Sequence, residues 1–391
     1  MHRCILAASP SQVDLVFDCI LLGVIDGDRV VGAAIVPLRS RTFSFLFMAS
    51  SFAKSNKTFN MASFFLLLGL IIPSLVISGA QSVGVCYGKL GGNLPSESEV
   101  VELYKNNGIG KMRIYGPDQA TLQALRGSNI ELIIDVPKDK VQSLADAGAA
   151  SDWVQNNIVA FAPAVNFKYI AVGNEIHPSE GEANSVLSAM RNIQNAINSA
   201  NLQGQIKVST AIDTKLLGKS YPPNDGVFSD TTYITPIAQF LKENGSPLLA
   251  NVYPYFAYTD DPNTIDLQYA LFNSEGIVVP DGTRYRNLFD AQLDSLYAAL
   301  EKVNAPDVKI VVSESGWPSE GDPAATIENA GTYYRNLIDH VKGGTPKRPQ
   351  GPIETYLFAM FDENQKGGDA DEQHFGVFSP NKQPKYQLSF S

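Results

Sequence analysis

At 391 residues the chain is long enough for one large barrel or two ordinary domains, and 44% apolar with 18% charged residues suits a globular protein with a large core. A net charge of −10 argues against nucleic acid or an anionic membrane surface as partner and leaves a neutral substrate open. The cysteines are Cys4, Cys19 and Cys86, and two of them precede the processing site described below, which excludes a disulfide framework and a cysteine-based zinc site.

In chain order, residues 1–60 carry apolar fragments such as Cys19-Ile20-Leu21-Leu22, broken by Asp26, Asp28 and Arg29. With no sustained helical or strand period, this stretch reads as a non-structural N-terminal extension, and no ordered domain is expected there. Met48 and Met61 are alternative starts. A secretory signal peptide follows over 61–80, or from residue 48 if translation begins there. Lys54 and Lys57 supply its basic region, 64–76 its apolar core, and Ser78-Gly79-Ala80 the small residues before a cut ahead of Gln81. The apolar run is short for a bilayer span and carries Pro73, so no stable membrane anchor is expected.

From Val83 onward, short apolar runs alternate with amphipathic stretches. Strands are predicted at 83–88, 111–116, 131–137, 167–175, 206–213, 248–256, 308–315 and 354–361. Helices are predicted at 96–107, where Ser96 and Glu99 form a capping box, and at 121–126, 184–199, 285–303 and 325–341. Eight strand–helix units point to an α/β fold of the (β/α)8 TIM-barrel type. An open doubly wound sheet would carry a glycine-rich phosphate turn after a strand, and none is found. Residues 81–391 therefore read as one barrel domain. Within it, 215–233 reads as a long loop over the barrel top, and 258–284 as a small inserted subdomain on the C-terminal face.

Two carboxylates end apolar strands. Tyr169-Ile170-Ala171-Val172-Gly173-Asn174-Glu175 closes the fourth strand, and Ile310-Val311-Val312-Ser313-Glu314 the seventh, followed by Ser315-Gly316-Trp317-Pro318. The tips of strands four and seven face each other over the mouth of an eight-stranded barrel, where barrel enzymes do their chemistry. Two carboxyl groups across a groove are the minimal machine for cutting a glycosidic bond. The gap between them decides retention or inversion, and the residues by themselves leave both open. Asn174, beside Glu175, can hydrogen-bond a sugar 2-hydroxyl. Tyr87, Tyr115, Tyr253, Tyr255, Phe256, Trp317 and Phe378 fall at or just past strand ends, where a polysaccharide cleft needs flat apolar platforms; packing in the core is the commoner fate of any one of them. Glu363 and Lys366 end the eighth strand, where they can orient a catalytic carboxylate and balance its charge. The histidines show no HExxH spacing, so no metal is expected, and neither Ser313 nor Ser315 sits in a GxSxG elbow.

Over residues 81–390 the sequence resembles the plant β-1,3-glucanases of glycoside hydrolase family 17. The motifs that carry the resemblance are Val85-Cys86-Tyr87-Gly88 with Asn93-Leu94-Pro95, Arg113-Ile114-Tyr115, Ala171-Val172-Gly173-Asn174-Glu175, Val252-Tyr253-Pro254-Tyr255-Phe256, Ser313-Glu314-Ser315-Gly316-Trp317-Pro318 and Asp362-Glu363-Asn364-Gln365-Lys366. The resemblance implies a retaining endo-β-1,3-glucanase with Glu175 as general acid/base and Glu314 as nucleophile. It places Glu363, Lys366 and Glu372 in the cleft, and Asn93 among the substrate-binding residues. It further implies a β-1,3-glucan substrate, no cofactor, a monomer, and secretion to the extracellular space or cell wall rather than the vacuole. The alternatives are a mixed-linkage β-1,3-1,4-glucanase and a β-glucan-binding protein that has lost turnover.

Overall fold

The computed structural model describes residues 83–390 and, upstream of them, three strands. Those strands, Arg3–Leu6, Cys19–Asp26 and Arg29–Pro37, pair antiparallel with Cys19–Asp26 in the middle. They stand where the sequence reading expected no ordered domain. The signal peptide expected over 61–80 lies outside the described residues.

Residues 83–390 hold eight parallel strands that close into a barrel: β1 Gly84–Tyr87, β2 Lys111–Ile114, β3 Glu131–Val136, β4 Asn166–Asn174, β5 Lys207–Asp213, β6 Leu248–Asn251, β7 Ile310–Ser315 and β8 Thr355–Leu357. The ring closes where Leu357 of β8 pairs with Val85 of β1. Their residues are almost all buried, as expected of strands covered on the outside by helices and packed against one another inside. This is the (β/α)8 TIM barrel.

Helices α1 Glu97–Asn106, α2 Gln119–Ala124, α3 Ala147–Val154, α4 Ala183–Ser199, α5 Thr231–Asn244, α6 Leu288–Lys302 and α7 Ile327–His340 each follow a strand. Local chemistry sets their ends. The Ser96–Glu99 capping box opens α1. Asn287 Oδ1 caps α6 by accepting from the Asp290 amide at 2.7 Å. Gly245, in the left-handed region at φ 58°, ends α5. Along α4, Val186, Met190, Ile193 and Ile197 recur at helical spacing and are all buried.

Three expectations change. The sixth strand stops at Asn251, and Pro254 begins a short helix, Pro254–Asp260. Proline is well suited to a first helical turn and ill suited to a central strand. Second, the sequence reading missed α3 and also α5, whose period is interrupted by Pro236. Third, most of the 215–233 excursion lies along α6 rather than over the barrel mouth. Ser295 Oγ donates to the Ser220 carbonyl at 2.7 Å, and Lys302 Nζ to that of Asp225 at 2.6 Å. The insertion after the short helix contains Leu267–Ala270 and a hairpin of Ile277–Val278 with Arg284–Tyr285, around a small core of Tyr269, Val279 and Tyr285.

Candidate active site

The C-terminal ends of the strands surround a cleft of about 900 Å³. Glu175, Glu314, Asn174, Tyr87, Tyr115, Tyr253, Phe256, Glu363, Lys366 and Glu372 line it, as do Asn251, Asp213 and Lys215. The two carboxylates expected from opposite sides of the barrel therefore meet in one cleft.

Below them the barrel interior is polar. Arg113 of β2 is fully buried, and a buried guanidinium has to be met by charge and hydrogen bonds. Its Nε and Nη2 donate to the two oxygens of Asp135 on β3 at 3.2 and 2.7 Å. Its Nη1 donates to Glu314 Oε1 at 2.8 Å and to Asn251 Oδ1 at 3.1 Å, and Nη2 reaches Asn174 Oδ1 at 2.9 Å. Burial works against the cation, but the charges of Asp135 and Glu314 outweigh it and hold the group protonated. Burial pushes Asp135 up to about 6 even with Arg113 beside it, which leaves it ionised at neutral pH.

Glu314 is 6% exposed. Besides Arg113, Tyr115 OH donates to its Oε1 at 2.8 Å and Tyr253 OH to its Oε2 at 2.7 Å. Both oxygens act purely as acceptors, the behaviour of a carboxylate. Glu175 follows β4 directly, with φ 52° after Gly173 at φ 79°. A side chain at Gly173 would run into Ile176, whose Cδ1 lies 2.4 Å from the position of an added Cβ. A glutamate in the left-handed region costs about 1 kcal/mol and is the kind of local strain found at functional sites. Its Oε1 accepts from Asn251 Nδ2 at 2.8 Å. Burial, and then the charge of Glu314, push Glu175 up to about 7; the Asn251 hydrogen bond and Arg113 pull the other way. One carboxyl is thus set up to hold a proton and the other to accept hydrogen bonds.

Asn174 Oδ1 accepts from both Arg113 and Asn251, at 2.9 and 3.0 Å, so what it can offer a hydroxyl in the cleft is its Nδ2 donor. Lys366 Nζ pairs with Glu372 at 2.7 Å. Burial opposes the Lys366 cation, but Glu372 more than offsets it and its pKa is raised. Glu363 Oε1 accepts from the Leu90 amide at 3.1 Å, and burial raises its carboxyl.

Four predicted binding residues stand elsewhere. Trp317 is 0% exposed, its Nε1 donates to the Ala324 carbonyl at 2.9 Å, and its ring packs against Tyr255 and Tyr333. It is a core residue behind β7 and no sugar platform, because the chain turns inward at Gly316. Gly316 itself is too tightly packed for a side chain, with the Phe358 carbonyl oxygen 2.4 Å from an added Cβ. Tyr255, also 0% exposed, lies on the short helix outside the cleft lining, and its OH donates to Asp371 Oδ2 at 2.6 Å. Phe378 is buried and stacks on Phe390 at 6.2 Å. Asn93 is exposed at φ 58° in the loop after β1, away from the cleft lining, where asparagine tolerates the left-handed turn. Tyr87 does border the cleft, although its ring is 1% exposed.

Sequence reasoning missed Arg113, Asp135 and Asn251 as site residues. The signal was available: each is a polar residue in a predicted barrel strand, and such a group, once buried, has to be paired. Among the described residues, no cluster of His, Cys, Asp or Glu could hold a metal, and no helix is long and apolar enough to cross a membrane.

Residues 83–390 match the glycosyl hydrolases family 17. The chain is 63% identical over 333 residues to a glucan endo-1,3-beta-glucosidase of Vitis vinifera, covering 83% of this chain and 96% of the relative. It is 54% identical to an acidic isoform of that enzyme from Nicotiana tabacum, over 85% of this chain and 94% of the relative. Among solved structures, a beta-1,3-glucanase and allergen of Cryptomeria japonica pollen superposes with a TM-score of 0.77 at 49% identity, covering 79% of this chain and 99% of its own. By its residues, its barrel and these likenesses, the chain belongs to family 17 of the glycosyl hydrolases.

Proposed function

We propose that the protein is a secreted, retaining endo-hydrolase of β-1,3-glucan, working by double displacement. The observation that carries the reading is the contrast between the two carboxyls in one cleft: Glu314 accepts three hydrogen bonds, and Glu175 is raised to about 7. In the first step a Glu314 oxygen attacks the anomeric carbon. The bond from that carbon to the glycosidic oxygen breaks, and the proton of Glu175 goes to the departing oxygen. The product is a glucosyl ester on Glu314 and an ionised Glu175. Esterification removes the negative charge that helped keep Glu175 protonated, so Glu175 is free to act as a base. It takes a proton from water as the water oxygen attacks the anomeric carbon, and Glu314 leaves as carboxylate. Asn174 Nδ2 as donor to the 2-hydroxyl, Tyr115 and Tyr253 as holders of Glu314, Phe256 as a sugar-facing surface, and Glu363, Lys366 and Glu372 as a charged wall complete the reading. Homology to enzymes named for β-1,3-glucan supports the substrate. The 61–80 segment supports secretion, with the mature chain expected to begin at Gln81 on N-terminal sequencing.

The test is release of reducing ends from laminarin and from barley mixed-linkage glucan by wild type, Glu175→Gln and Glu314→Gln. Wild type is expected to cleave laminarin in preference, yielding the β-anomer first by NMR. Each variant is expected to lose activity by about 10³-fold or more. Full activity in either variant overturns the assignment, and preference for barley glucan moves the enzyme to the mixed-linkage class.

A further inference from the structure

Strand β5 ends beside Glu175. The Glu175 amide donates to the Ala211 carbonyl at 2.9 Å, and two residues on, Asp213 closes the strand and lines the same cleft. The reaction described above gives it no role. Its carboxylate is nevertheless fixed at both oxygens. The Lys215 amide donates to Oδ1 at 3.1 Å, and His177 Nε2 lies 3.1 Å from Oδ2. His177 stands two residues past Glu175, so the segment that carries the acid also carries the clamp on Asp213. The clamp is itself supported. The His177 amide donates to Glu180, which pairs with Lys138 at 2.5 Å, and Tyr233 OH of α5 donates to the Ile176 carbonyl at 3.0 Å.

The charges around the acid come from several elements. Glu314 of β7 and Asp213 of β5 oppose ionisation of Glu175, while Arg113 of β2 and the amide of Asn251 on β6 favour it. Asp213 in turn faces His177 from the loop after β4 and Lys215 from the turn after its own strand. Glu314 and Asp213 differ in one respect. During turnover Glu314 becomes a neutral ester, whereas Asp213 remains outside the bond changes.

We propose that Asp213, clamped by His177, is a positioning residue that holds the proton on Glu175 in the first step and keeps Glu175 basic enough to deprotonate water in the second. The proposal rests on Glu175 being the acid/base. A like charge nearby favours the protonated form of a carboxyl. When the ester forms, the affinity of Glu175 for a proton falls, and the fixed charge of Asp213 limits that fall.

The test is kcat/KM on laminarin from about pH 4 to about pH 9 for wild type, Asp213→Asn and Asp213→Glu, since kcat/KM reports the ionisations of the free enzyme. Asp213→Asn is expected to move the alkaline limb to lower pH by about 0.5 unit, a loss of about threefold on that limb relative to the acid plateau. Asp213→Glu is expected to restore the wild-type limb. Asp213→Ser, expected to shift the same way, serves where Asp213→Asn does not fold. The proposal is overturned by a limb that does not move, by one that moves equally in Asp213→Glu, or by a loss of the same size at every pH, which a purely structural role would give. Glu175→Gln run alongside separates the two assignments. If it is active, the acid/base reading falls; if it is inactive and the Asp213→Asn limb coincides with wild type, only the present inference falls.

Discussion

Glu175 and Glu314 are the same residue type, and everything that distinguishes them comes from their neighbours. Arg113 is central to that difference, because one guanidinium touches Asp135, Asn174, Asn251 and Glu314. Lysine offers no planar fork and cannot make these contacts together. Arg113→Met, which removes the cation altogether, is expected to reduce kcat by at least about tenfold and to destabilise the fold by roughly 3–5 kcal/mol, the range for removing one partner of a buried ion pair. Chemical denaturation alongside laminarin kinetics checks both, and a variant with wild-type stability would contradict the buried network. The pH profile follows from one group. On the proposed function Glu175 acts as the acid and must be protonated; with its carboxyl raised to about 7, kcat/KM is expected to fall as pH rises through about 7. Glu175 and Glu314 were legible in the sequence because each closes an apolar run. The Arg113 network was not, because its members, Arg113 included, come from five strands and meet only when the barrel closes.

At the scale of elements, the eight strands were readable because a strand covered on both faces is rich in apolar residues, even where a polar residue such as Arg113 interrupts the run. Their ends were less so. Residues 248–256 are nearly all apolar or aromatic, so composition does not mark where β6 stops; the stop falls at Asn251 and the short helix begins at Pro254. That boundary decides which aromatics line the cleft. Tyr253 and Phe256 reach the cleft, and Tyr255 turns to Asp371. Trp317 fails as a platform because its ring is buried against Tyr255 and Tyr333 rather than on the cleft. Trp317→Ala is therefore expected to destabilise the barrel by about 3–5 kcal/mol and to leave KM for laminarin nearly unchanged. Phe256→Ala is expected to raise KM with a small effect on stability. Thermal denaturation and initial rates on the two variants distinguish core from cleft, and the reverse pattern would restore Trp317 to the site.

Over the barrel as a whole, buried acids and exposed acids pull stability in opposite directions with pH. Burial raises Asp135 and Asp294 to about 6, Glu175 to about 7, and Glu363 as well. A carboxyl raised in the folded state stabilises fully below its unfolded value, and that contribution is lost as pH rises through the folded value. The surface acids Glu97, Glu99, Asp118, Glu180 and Asp225 are lowered by lysine partners, so their contribution is present above the unfolded value and lost in acid. Together with a net charge of −10, this predicts a thermal midpoint that is highest near pH 5 and declines toward pH 8. Calorimetry across that range checks it, and a midpoint that climbs toward pH 8 would contradict the buried-acid directions.

The order of the strands, the barrel, and the two carboxylates at strand ends were legible along the chain, because burial on both faces and a strand's abrupt end are local properties of sequence. Which aromatics line the cleft, which polar side chains share one guanidinium, and which of two glutamates keeps its proton were decided only in three dimensions. Those outcomes depend on distances between strands far apart in sequence and on how much water the closed barrel leaves around each group.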